Sequence, residues 1–344
     1  MNIFLIQPGL SEAIVRSQTI KIVSRLNIEK NQNYIMLPFL DERIYKNDNN
    51  IIFYKNYLNT LRKIDEDINY IYTRSFVVFI KLFLFRFLRK NKFKILIDFR
   101  GLASAESFAR NKSIIKFKIY ELIELFAYKN ADSVHSVSFF LKDWLTSKWG
   151  TRDVNVVPCC VDKIILKEKN NIDNEIKFVY VGSTSFWQKI ESTIRLYKTI
   201  ESKVENSSLT IITKEKKAVT QLLKDNGVRK FKVKSLLQEE VLSDLVSYDF
   251  GFLLRDNILM NNVASPVKFI EYISRGVIPI LSSGIGDYSS LVIKKKIGII
   301  VKNNEIDINQ INFYYNDNDI LNRLYKCSSK FTWDSHLKTF LLKF

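Results

Sequence analysis

The sequence predicts an α/β protein with two doubly wound parallel sheets. Short apolar runs alternate with amphipathic stretches along most of the chain, and this order is typical of strand–helix units that build parallel sheets. With 344 residues, of which 47% are hydrophobic, the chain is long enough for two cores of ordinary domain size. A polar stretch at 162–175, rich in Lys, Asn and Glu, breaks the alternation, and we interpret it as an interdomain linker.

The apolar runs before this linker predict the elements of a first domain. Strands are expected at 3–6, 34–37, 51–54, 70–72, 95–98, 133–136 and 155–157. Helices are expected at 11–26, 56–66, 76–90, 114–130 and 138–149. The first apolar run is too short for the core of a signal peptide, so we interpret it as a buried strand.

A second series of runs predicts the elements of the other domain. Strands are expected at 178–181, 209–213, 231–234, 250–254 and 277–281. Helices are expected at 188–201, 217–226 and 239–247, and the end of the chain, 331–344, predicts a final helix. A further helix is expected between Ser265 and Gly276, because Ser is a preferred N-cap, Pro266 suits the first helical position, and Gly supplies a left-handed stop.

Composition restricts the class of partner. The formal charge of +17 predicts an anionic partner, such as a phosphorylated substrate, an anionic lipid or a nucleic acid, unless it only reflects an A+T-rich genome. The basic, Phe-rich segment 76–94 is interrupted at Lys81 and Arg86 and is too short to span a bilayer. It is either a helix in the membrane interface, bound through Lys81, Arg86, Arg89 and Lys90, or a core helix with an exposed basic end.

Three cysteines, Cys159, Cys160 and Cys327, have no metal-type spacing, and a reducing compartment fits them best. No zinc spacing or RNA-recognition signature accompanies the basic charge, so nucleic-acid binding is not expected. No metal site is predicted.

The segment from Ser265 to Glu271 predicts an anion site. A helix N-terminus offers unpaired N–H groups and a positive dipole end to a phosphate. Lys268 opposes that dipole, so its place in the first turn is easier to understand if an anion binds there. Glu271, about one turn later, is expected to accept hydrogen bonds from sugar hydroxyls. The alternative is an ordinary capped helix with Lys268 and Glu271 as a solvated pair.

This segment resembles the nucleotide-sugar site of the GT-B glycosyltransferases, in particular the family 4-like enzymes that build bacterial capsules and O-antigens. In that family a Ser/Ala-Pro-x-Lys-x-x-Glu-Tyr sequence precedes a Gly-x-Pro-x-Ile strand. Here the stretch has Ser265, Pro266, Lys268, Glu271 and Tyr272, and then reads Gly276-Val-Ile-Pro279-Ile280. The resemblance implies two Rossmann-like domains with the active site in the cleft between them: an acceptor domain at 1–165, a nucleotide-sugar domain at 166–325, and a C-terminal helix at 326–344 that returns to the first domain.

The resemblance also implies further donor-binding residues. The loop after strand 178–181 is similar to the family's glycine-bearing loop, which approaches the donor diphosphate, so Gly182, Ser183 and Lys189 are candidates. Arg255 is expected to supply the charge of an Arg that Ser183 replaces. Lys189 is alternatively an exposed helix residue. Val263 stands where many members have the first of two glutamates, which puts the identity of the sugar and the retention of its configuration in doubt.

Acceptor and catalytic residues are expected in the first domain. Asp98, Arg100 and Glu106 lie at the carboxyl end of a predicted buried strand or shortly after it, at the usual ligand edge of such sheets. Similar transferases carry an Asp-x-Arg-Gly stretch followed by Glu, which implies that Asp98 or Glu106 is the catalytic base and that Arg100 holds an anionic group. An Asp98–Arg100 structural pair is the alternative.

Three more residues are candidates in the first domain. Gly9 and Ser11, in the loop after the first strand, are candidate acceptor contacts, although a simple tight turn explains them as well. His135 is either a packed core imidazole or a rival base.

The resemblance implies the function as well. We expect a metal-independent, retaining hexosyl transfer from a nucleotide-diphosphate sugar to a lipid-linked saccharide, in cell-surface polysaccharide synthesis. The enzyme would have no cofactor and would lie in the cytoplasm, peripheral to the inner face of the plasma membrane. A non-catalytic GT-B-like subunit that binds a glycan or supports a partner enzyme is the alternative, because of Val263.

Overall fold

The computed structural model describes residues 2–6, 33–36, 51–53, 68–89, 93–166 and 175–336, together with Gln18. The chain divides into two compact units, Met1–Pro158 with Trp333–Phe344, and Cys159–Thr332. Each unit contains one parallel sheet, of seven strands in the first and six in the second. No helix in the described part of the chain is both long and apolar enough to cross a bilayer.

The first unit holds a seven-stranded sheet of order β3-β2-β1-β4-β5-β6-β7. Its strands are β1 (Asn2–Ile6), β2 (Asn33–Met36), β3 (Ile51–Phe53), β4 (Ile68–Thr73), β5 (Lys94–Phe99), β6 (Ser133–Ser136) and β7 (Val154–Val156). Its described helices are α1 (Phe76–Arg89), α2 (Ala103–Asn111), α3 (Ile114–Asn130) and α4 (Phe139–Trp149). The predicted helices at 11–26 and 56–66 lie outside the described residues.

Hydroxyl caps explain where three of these helices begin. Ser75, Ser113 and Ser138 each accept a hydrogen bond from the backbone N–H three residues later, at 3.3, 3.3 and 3.0 Å. Helix α2 was not predicted. Its N-cap is Leu102, whose side chain makes no cap hydrogen bond, so no local signal marks the start of this helix.

The second unit holds a six-stranded sheet of order β10-β9-β8-β11-β12-β13. Its strands are β8 (Ile176–Val181), β9 (Ser207–Ile212), β10 (Phe231–Lys234), β11 (Phe250–Leu253), β12 (Ile278–Ser282) and β13 (Ile299–Val301). Its helices are α5 (Ile190–Lys203), α6 (Lys216–Asp225), α7 (Gln238–Asp244), α8 (Leu259–Asn262), α9 (Val267–Ile273), α10 (Gly286–Lys295), α11 (Ile308–Asn316) and α12 (Ile320–Ser328). Five of these, β13, α8, α10, α11 and α12, have no counterpart in the prediction.

Both sheets reverse their strand order once. In the first unit β1 and β4 lie side by side, and in the second β8 and β11 do. At such a reversal the two loops that follow the neighbouring strands run to opposite sides, and ligands of doubly wound sheets bind in the opening between them. The topology therefore draws attention to the residues that directly follow β4, β8 and β11.

Tyr272 of α9 connects the two strands at the reversal in the second unit. Pairing between β8 and β11 ends at Tyr180 and Phe252. Beyond that point the buried Tyr272 hydroxyl accepts a hydrogen bond from Val181 N at 3.2 Å and donates one to Phe252 O at 3.2 Å. Its ring lies over Gly251, where a Cβ atom would come within 2.7 Å of the ring carbons. The phenol thus replaces a missing strand–strand link.

We expect Tyr272→Phe to lower the free energy of unfolding by about 1–3 kcal/mol, because the Val181 N–H and the Phe252 carbonyl would each lose a buried partner. Denaturant unfolding measures the change. Tyr325→Phe is the control, since that side chain is 52% exposed. Equal stability of the two variants would contradict a structural role for the Tyr272 hydroxyl.

Candidate functional site

The predicted donor residues lie at the carboxyl edge of the second sheet. Gly182 directly follows β8, Arg255 follows β11, and Lys268 is the second residue of α9. These are the loops at the strand-order reversal between β8 and β11. The sequence-predicted residues are therefore brought together where the topology predicts a ligand.

Lys268 is the charged centre of this group. Its ammonium is partly buried, donates a hydrogen bond to Gln188 Oε1, and lies 5.4 Å from the centre of the Tyr180 ring. Burial and the neighbouring Arg255 guanidinium lower the pKa of Lys268 to about 7, although Glu271 opposes the shift. The aromatic face and the amide oxygen explain how a cation is tolerated in the first turn of a helix. Because α9 has only seven residues, most of the positive potential here comes from side chains rather than from the helix dipole.

Gly182 leaves the room that this arrangement needs. A Cβ atom at this position would come within 2.5 Å of Lys268 Nζ and 2.8 Å of the Tyr180 hydroxyl. The same hydroxyl donates to Ser183 O at 2.9 Å, and the Gln188 amide donates to Ser183 Oγ at 3.1 Å. The loop after β8 is thus folded around the Lys268 ammonium.

Lys189 joins the two loops at the reversal, and Ser282 of β12 fixes the backbone of Arg255. Lys189 adopts a left-handed backbone conformation (φ 51°), which ends a short 3-10 turn. Helix α5 therefore starts at Ile190, and the predicted helix start at 188 is wrong by two residues. Its ammonium pairs with Asp256 Oδ1 at 2.8 Å. The backbone of Arg255 is fixed by Ser282, whose hydroxyl accepts from Arg255 N and donates to Arg255 O, both at 2.7 Å. Burial lowers the pKa of Arg255.

Glu271 is buried, and Gln238 donates a hydrogen bond to its Oε1 at 2.6 Å. Burial raises the pKa of Glu271, whereas Lys268 and the Gln238 amide oppose the rise. The alternative of a solvated Lys268–Glu271 pair is therefore wrong, because neither side chain is solvated in that way. Gln238, which the sequence did not single out, fixes the Glu271 carboxyl.

Ser265 has another role than the predicted N-cap. Helix α9 starts after Pro266, which is its N-cap and not its first helical residue. The Ser265 hydroxyl is buried; it accepts from Cys159 N at 3.0 Å and shares a hydrogen bond with the Tyr288 hydroxyl. The cap was predicted from residue preference alone. In the structure the Ser265 hydroxyl bonds to Cys159 and Tyr288 and does not cap the helix. Ser265 therefore anchors the loop that precedes Lys268.

Asp98 forms a buried ion cluster at the carboxyl edge of the first sheet. Its Oδ2 accepts from Arg100 Nε at 2.6 Å, from Arg74 Nε at 3.2 Å and from the Tyr72 hydroxyl. Burial alone would raise its pKa, but the Arg100 and Arg74 guanidinium groups hold the pKa of Asp98 below its ordinary value. A carboxylate held in this way is a weak proton acceptor, so the geometry favours the alternative, a structural Asp98–Arg100 pair that closes the strand.

Arg74 was missed by the sequence analysis. It directly follows β4 and therefore lies at the strand-order reversal of the first sheet. Within the described part of the chain, its buried Nη2 atom has no hydrogen-bond partner, and neither does Asp98 Oδ1. Its position after β4 is the signal that would have found it. Gly9 and Ser11, which follow β1 at the same reversal, lie outside the described residues.

Glu106 lies in the first turn of α2, and its side chain is exposed in part. Its Oε1 is folded back over the end of β5, where a Cβ atom at Gly101 would be 3.2 Å from it. Desolvation raises the pKa of Glu106, and Arg110 partly offsets the rise. An accessible carboxyl with a raised pKa at a ligand edge suits proton transfer better than Asp98 does.

Glu124 of α3 is a buried carboxyl that the sequence did not single out. It is fully buried, and it accepts from Ser104 N at 3.0 Å and from the Ser104 hydroxyl at 2.6 Å. It thereby caps the start of α2 from a neighbouring helix. Burial raises the pKa of Glu124 to about 7, and the Glu106 charge adds to the rise.

His135 of β6 is a core residue. It is 1% exposed, pairs in register with Asp98, and has the Asn155 amide nitrogen 3.5 Å from its Nε2. A side chain so enclosed has no direct access to an acceptor hydroxyl, which agrees with the packed-imidazole interpretation. Val263 is likewise fully buried.

Solved structures of the same architecture cover nearly the whole chain. HepE from Anabaena, determined in complex with UDP and glucose, has a TM-score of 0.71 at 12% identity, over 99% of this chain and 98% of that one. Sucrose-phosphate synthase from Thermosynechococcus elongatus has a TM-score of 0.69 at 13% identity, over 98% and 97% of the two chains. WaaG, a glycosyltransferase involved in lipopolysaccharide biosynthesis, has a TM-score of 0.67 at 12% identity, over 99% and 98%.

The chain has the GT-B fold. The predicted fold class is therefore confirmed. No family model and no curated protein matches the sequence, so membership of the family 4-like enzymes stays a prediction. Likeness at these identities concerns the GT-B fold alone, and the function must be argued from the site.

Glu124 should make stability depend on pH. Because its folded-state pKa is raised to about 7, the folded chain binds more protons than the unfolded chain between pH ~4.5 and ~7. Its contribution is fully present below pH ~4.5 and is lost as pH rises to ~7, by on the order of 3 kcal/mol. We expect Glu124→Gln to remove this loss, so that the stability difference between wild type and variant changes across that window in unfolding curves.

Glu121 on the same helix is the matched control. Although burial opposes the shift, Lys118 and Lys148 lower its pKa, so its contribution is lost as pH falls and Glu121→Gln should change the pH profile in the opposite sense. Parallel profiles for wild type and Glu124→Gln between pH 4.5 and 7 would exclude an ionising Glu124.

Proposed function

We propose that this protein is a glycosyltransferase that moves a hexosyl group from a nucleotide-diphosphate sugar to a hydroxyl of a saccharide acceptor, in the synthesis of a cell-surface polysaccharide. The observation that carries the proposal is Lys268, a partly buried ammonium with a pKa lowered to about 7 at the strand-order reversal of the second sheet. A cation that the fold itself destabilises gains most from an anionic ligand.

The chemistry of the donor fits this site. When the bond between sugar and diphosphate breaks, the leaving diphosphate gains negative charge, and preorganised cations stabilise that charge without reorganisation. Lys268 and Arg255 supply two such cations, and Lys189 a third that is held by Asp256. Because Gly182 has no side chain, the backbone after β8 passes close to the Lys268 ammonium. We infer that these residues neutralise the diphosphate without a metal ion.

Glu271 is assigned to the sugar part of the nucleotide. Its Oε1 is fixed by Gln238, which leaves acceptor capacity for a hydroxyl pair on the other oxygen. Retention of configuration at the sugar follows from the family resemblance alone. HepE was determined with UDP and glucose, which makes a uridine nucleotide the first donor to test.

For the acceptor side we propose Glu106 as the catalytic base and Arg74 and Arg100 as the groups that orient the acceptor. Glu106 is accessible and has a raised pKa, whereas both guanidinium groups are fixed by Asp98. Asp98 is thereby reassigned from catalysis to positioning. The lipid linkage of the acceptor rests on the resemblance to enzymes of surface-polysaccharide synthesis.

A non-catalytic GT-B-like subunit is the second candidate. The observation in its favour is Val263, a fully buried apolar side chain where many family members have a glutamate. Such a protein would bind a nucleotide sugar or a glycan without releasing a nucleoside diphosphate. Turnover in the presence of donor and acceptor separates the two candidates.

We expect Lys268→Ala to weaken binding of the nucleoside diphosphate by about 1.5–3 kcal/mol, the usual contribution of a charge-assisted hydrogen bond. Thermal shifts with UDP-, GDP-, ADP- and CMP-sugars first select the nucleotide, and calorimetry then measures its affinity. Wild type should also take up close to one proton on binding at pH 8, because the ligand raises the pKa of Lys268 from about 7; the variant should not.

Lys217→Ala is the matched control, since Lys217 is also the second residue of a helix in the same unit but is exposed. If both variants bind the nucleotide as wild type does, or both lose it equally, the anion site at Lys268 is refuted.

The catalytic assignment predicts different kinetics for three variants. Glu106→Gln should lower turnover at saturating donor by on the order of 10²–10⁴, the usual contribution of a general base, with donor affinity nearly unchanged. Asp98→Asn should weaken acceptor binding, because Arg74 and Arg100 would lose the carboxylate that fixes them. The acceptor KM should therefore rise more than kcat falls. His135→Ala should lower the free energy of unfolding, because His135 is a core residue. A slow His135→Ala enzyme beside a fast Glu106→Gln enzyme would show that the base lies on β6 and not on α2.

A further inference from the structure

Helices α2 and α3 of the first unit form a hairpin that extends beyond its sheet. The two helices are antiparallel neighbours, because Ser104 bonds to Glu124 and the rings of Phe108 and Phe117 are 5.9 Å apart. Helix α2 starts beyond the carboxyl end of β5, and the end of α3 returns to the amino end of that strand, where Asp132 N donates to Ile95 O at 3.0 Å. The part of α3 that precedes Glu124 is about 15 Å long, at 1.5 Å per residue, and it starts at the tip of the hairpin.

The tip of this hairpin is apolar and basic at once. We define it as residues 108–120. Five of its side chains are large and exposed, Phe108, Ile114, Ile115, Ile119 and Tyr120. Four are basic and exposed, Arg110, Lys112, Lys116 and Lys118. The tip contains no Asp or Glu.

Of the two carboxylates that follow along α3, one neutralises a basic side chain of the tip and the other is buried. Glu121 is paired with Lys118 and Lys148, and Glu124 is buried against Ser104. A contiguous exposed apolar patch marks an interaction surface, whereas single exposed apolar residues do not. Here the patch also carries the positive charge of Lys112 and Lys116, whereas Lys118 is paired with Glu121 and Arg110 interacts electrostatically with Glu106.

We propose that the hairpin tip docks the protein on an anionic phospholipid bilayer, with Ile114 and Ile115 inserted among the headgroups and the cations of the tip paired with lipid phosphates. Apolar insertion combined with basic side chains is the chemistry of an interfacial membrane anchor. A second copy of this chain would bring the same four cations against them, in a protein of formal charge +17, so self-association does not satisfy the patch.

The position of the hairpin tip makes it a better membrane contact than the basic segment 76–94 that the sequence suggested. The basic end of α1 lies at the opposite, amino edge of the sheet, where Arg86 is paired with Asp132; Lys90 lies outside the described residues. The hairpin extends from the edge that carries Asp98 and Glu106. Docking through it holds this edge at the bilayer surface, where a lipid-linked acceptor presents its saccharide.

The role of docking in reaching a lipid-linked acceptor rests on the proposed function. The test of docking itself does not depend on catalysis. Purified full-length protein is mixed with vesicles of phosphatidylcholine, alone or with phosphatidylglycerol, and sedimented. We expect binding only with phosphatidylglycerol and a loss of binding as salt rises. Ile114→Ser with Ile115→Ser should weaken the partition coefficient at least about tenfold. Arg110→Gln with Lys112→Gln and Lys116→Gln should weaken it about 100-fold and remove most of the salt dependence.

The control is Phe87→Ser with Leu88→Ser on α1, whose side chains are 75% and 76% exposed, against 68% and 76% for Ile114 and Ile115. It should bind vesicles as wild type does. Loss of binding in this control with the hairpin variants intact would place the contact on α1 and overturn the proposal, as would equal binding to both kinds of vesicle. A change of oligomeric state in the hairpin variants would indicate a protein interface instead.

A second readout does not depend on loss of binding. Ile115→Cys labelled with an environment-sensitive dye should shift its emission to the blue with phosphatidylglycerol vesicles, and Leu88→Cys should not; the native cysteines Cys159, Cys160 and Cys327 are buried. Thermal stabilisation by nucleotide sugars reports the proposed function separately. A protein that binds these vesicles through the tip but is not stabilised by any nucleotide sugar would refute the function and leave the docking surface standing.

Discussion

Burial of both faces of the inner strands β5 and β11 confines polar chemistry there to the strand ends. All residues of β11 are buried, and so are those of β5 after its first residue. Polar side chains within such strands would lose their water without gaining partners. Arg74, Arg255 and Lys268 consequently lie just beyond strand ends or on a helix that follows. Asp98, the next-to-last residue of β5, is paired with Arg100 and Arg74. Strand order then decides which of these ends become neighbours.

The two units use this constraint differently. In the second, Lys268 and Arg255 lie near a glycine-bearing loop, and burial together with the Arg255 charge lowers the pKa of Lys268, although Glu271 opposes the shift. In the first, two guanidinium groups share one buried carboxylate, and the pKa of Asp98 is lowered instead. The edge of the second sheet therefore favours an anion. At the edge of the first sheet the charges form a fixed internal cluster, in which Arg74 Nη2 has no hydrogen-bond partner among the described residues.

The sequence predicted those features whose causes are local. Strands such as β6 and β10 and helix α3 were placed at their observed bounds, because apolar periodicity and a hydroxyl cap mark them. The Ser265–Glu271 block was found because its residues are adjacent in the chain. Glu124, Gln188 and Gln238 were missed because their partners are distant in sequence: Glu124 meets Ser104 only once α2 and α3 have packed. The cap role of Ser265 was wrong for the same reason, since Tyr288 is brought to it by tertiary structure.

The contact between Gly251 and Tyr272 makes two distant positions behave as one. A side chain at 251 would overlap the phenol ring, so it could be accommodated only if the residue at 272 became smaller. A smaller residue there would give up the hydroxyl that spans β8 and β11. Relief of the steric conflict and preservation of the bridge are thus mutually exclusive. Among distant relatives that keep this bridge, glycine and tyrosine at these two positions should be inherited together, and a change at either should mark a lineage that has rebuilt its donor site.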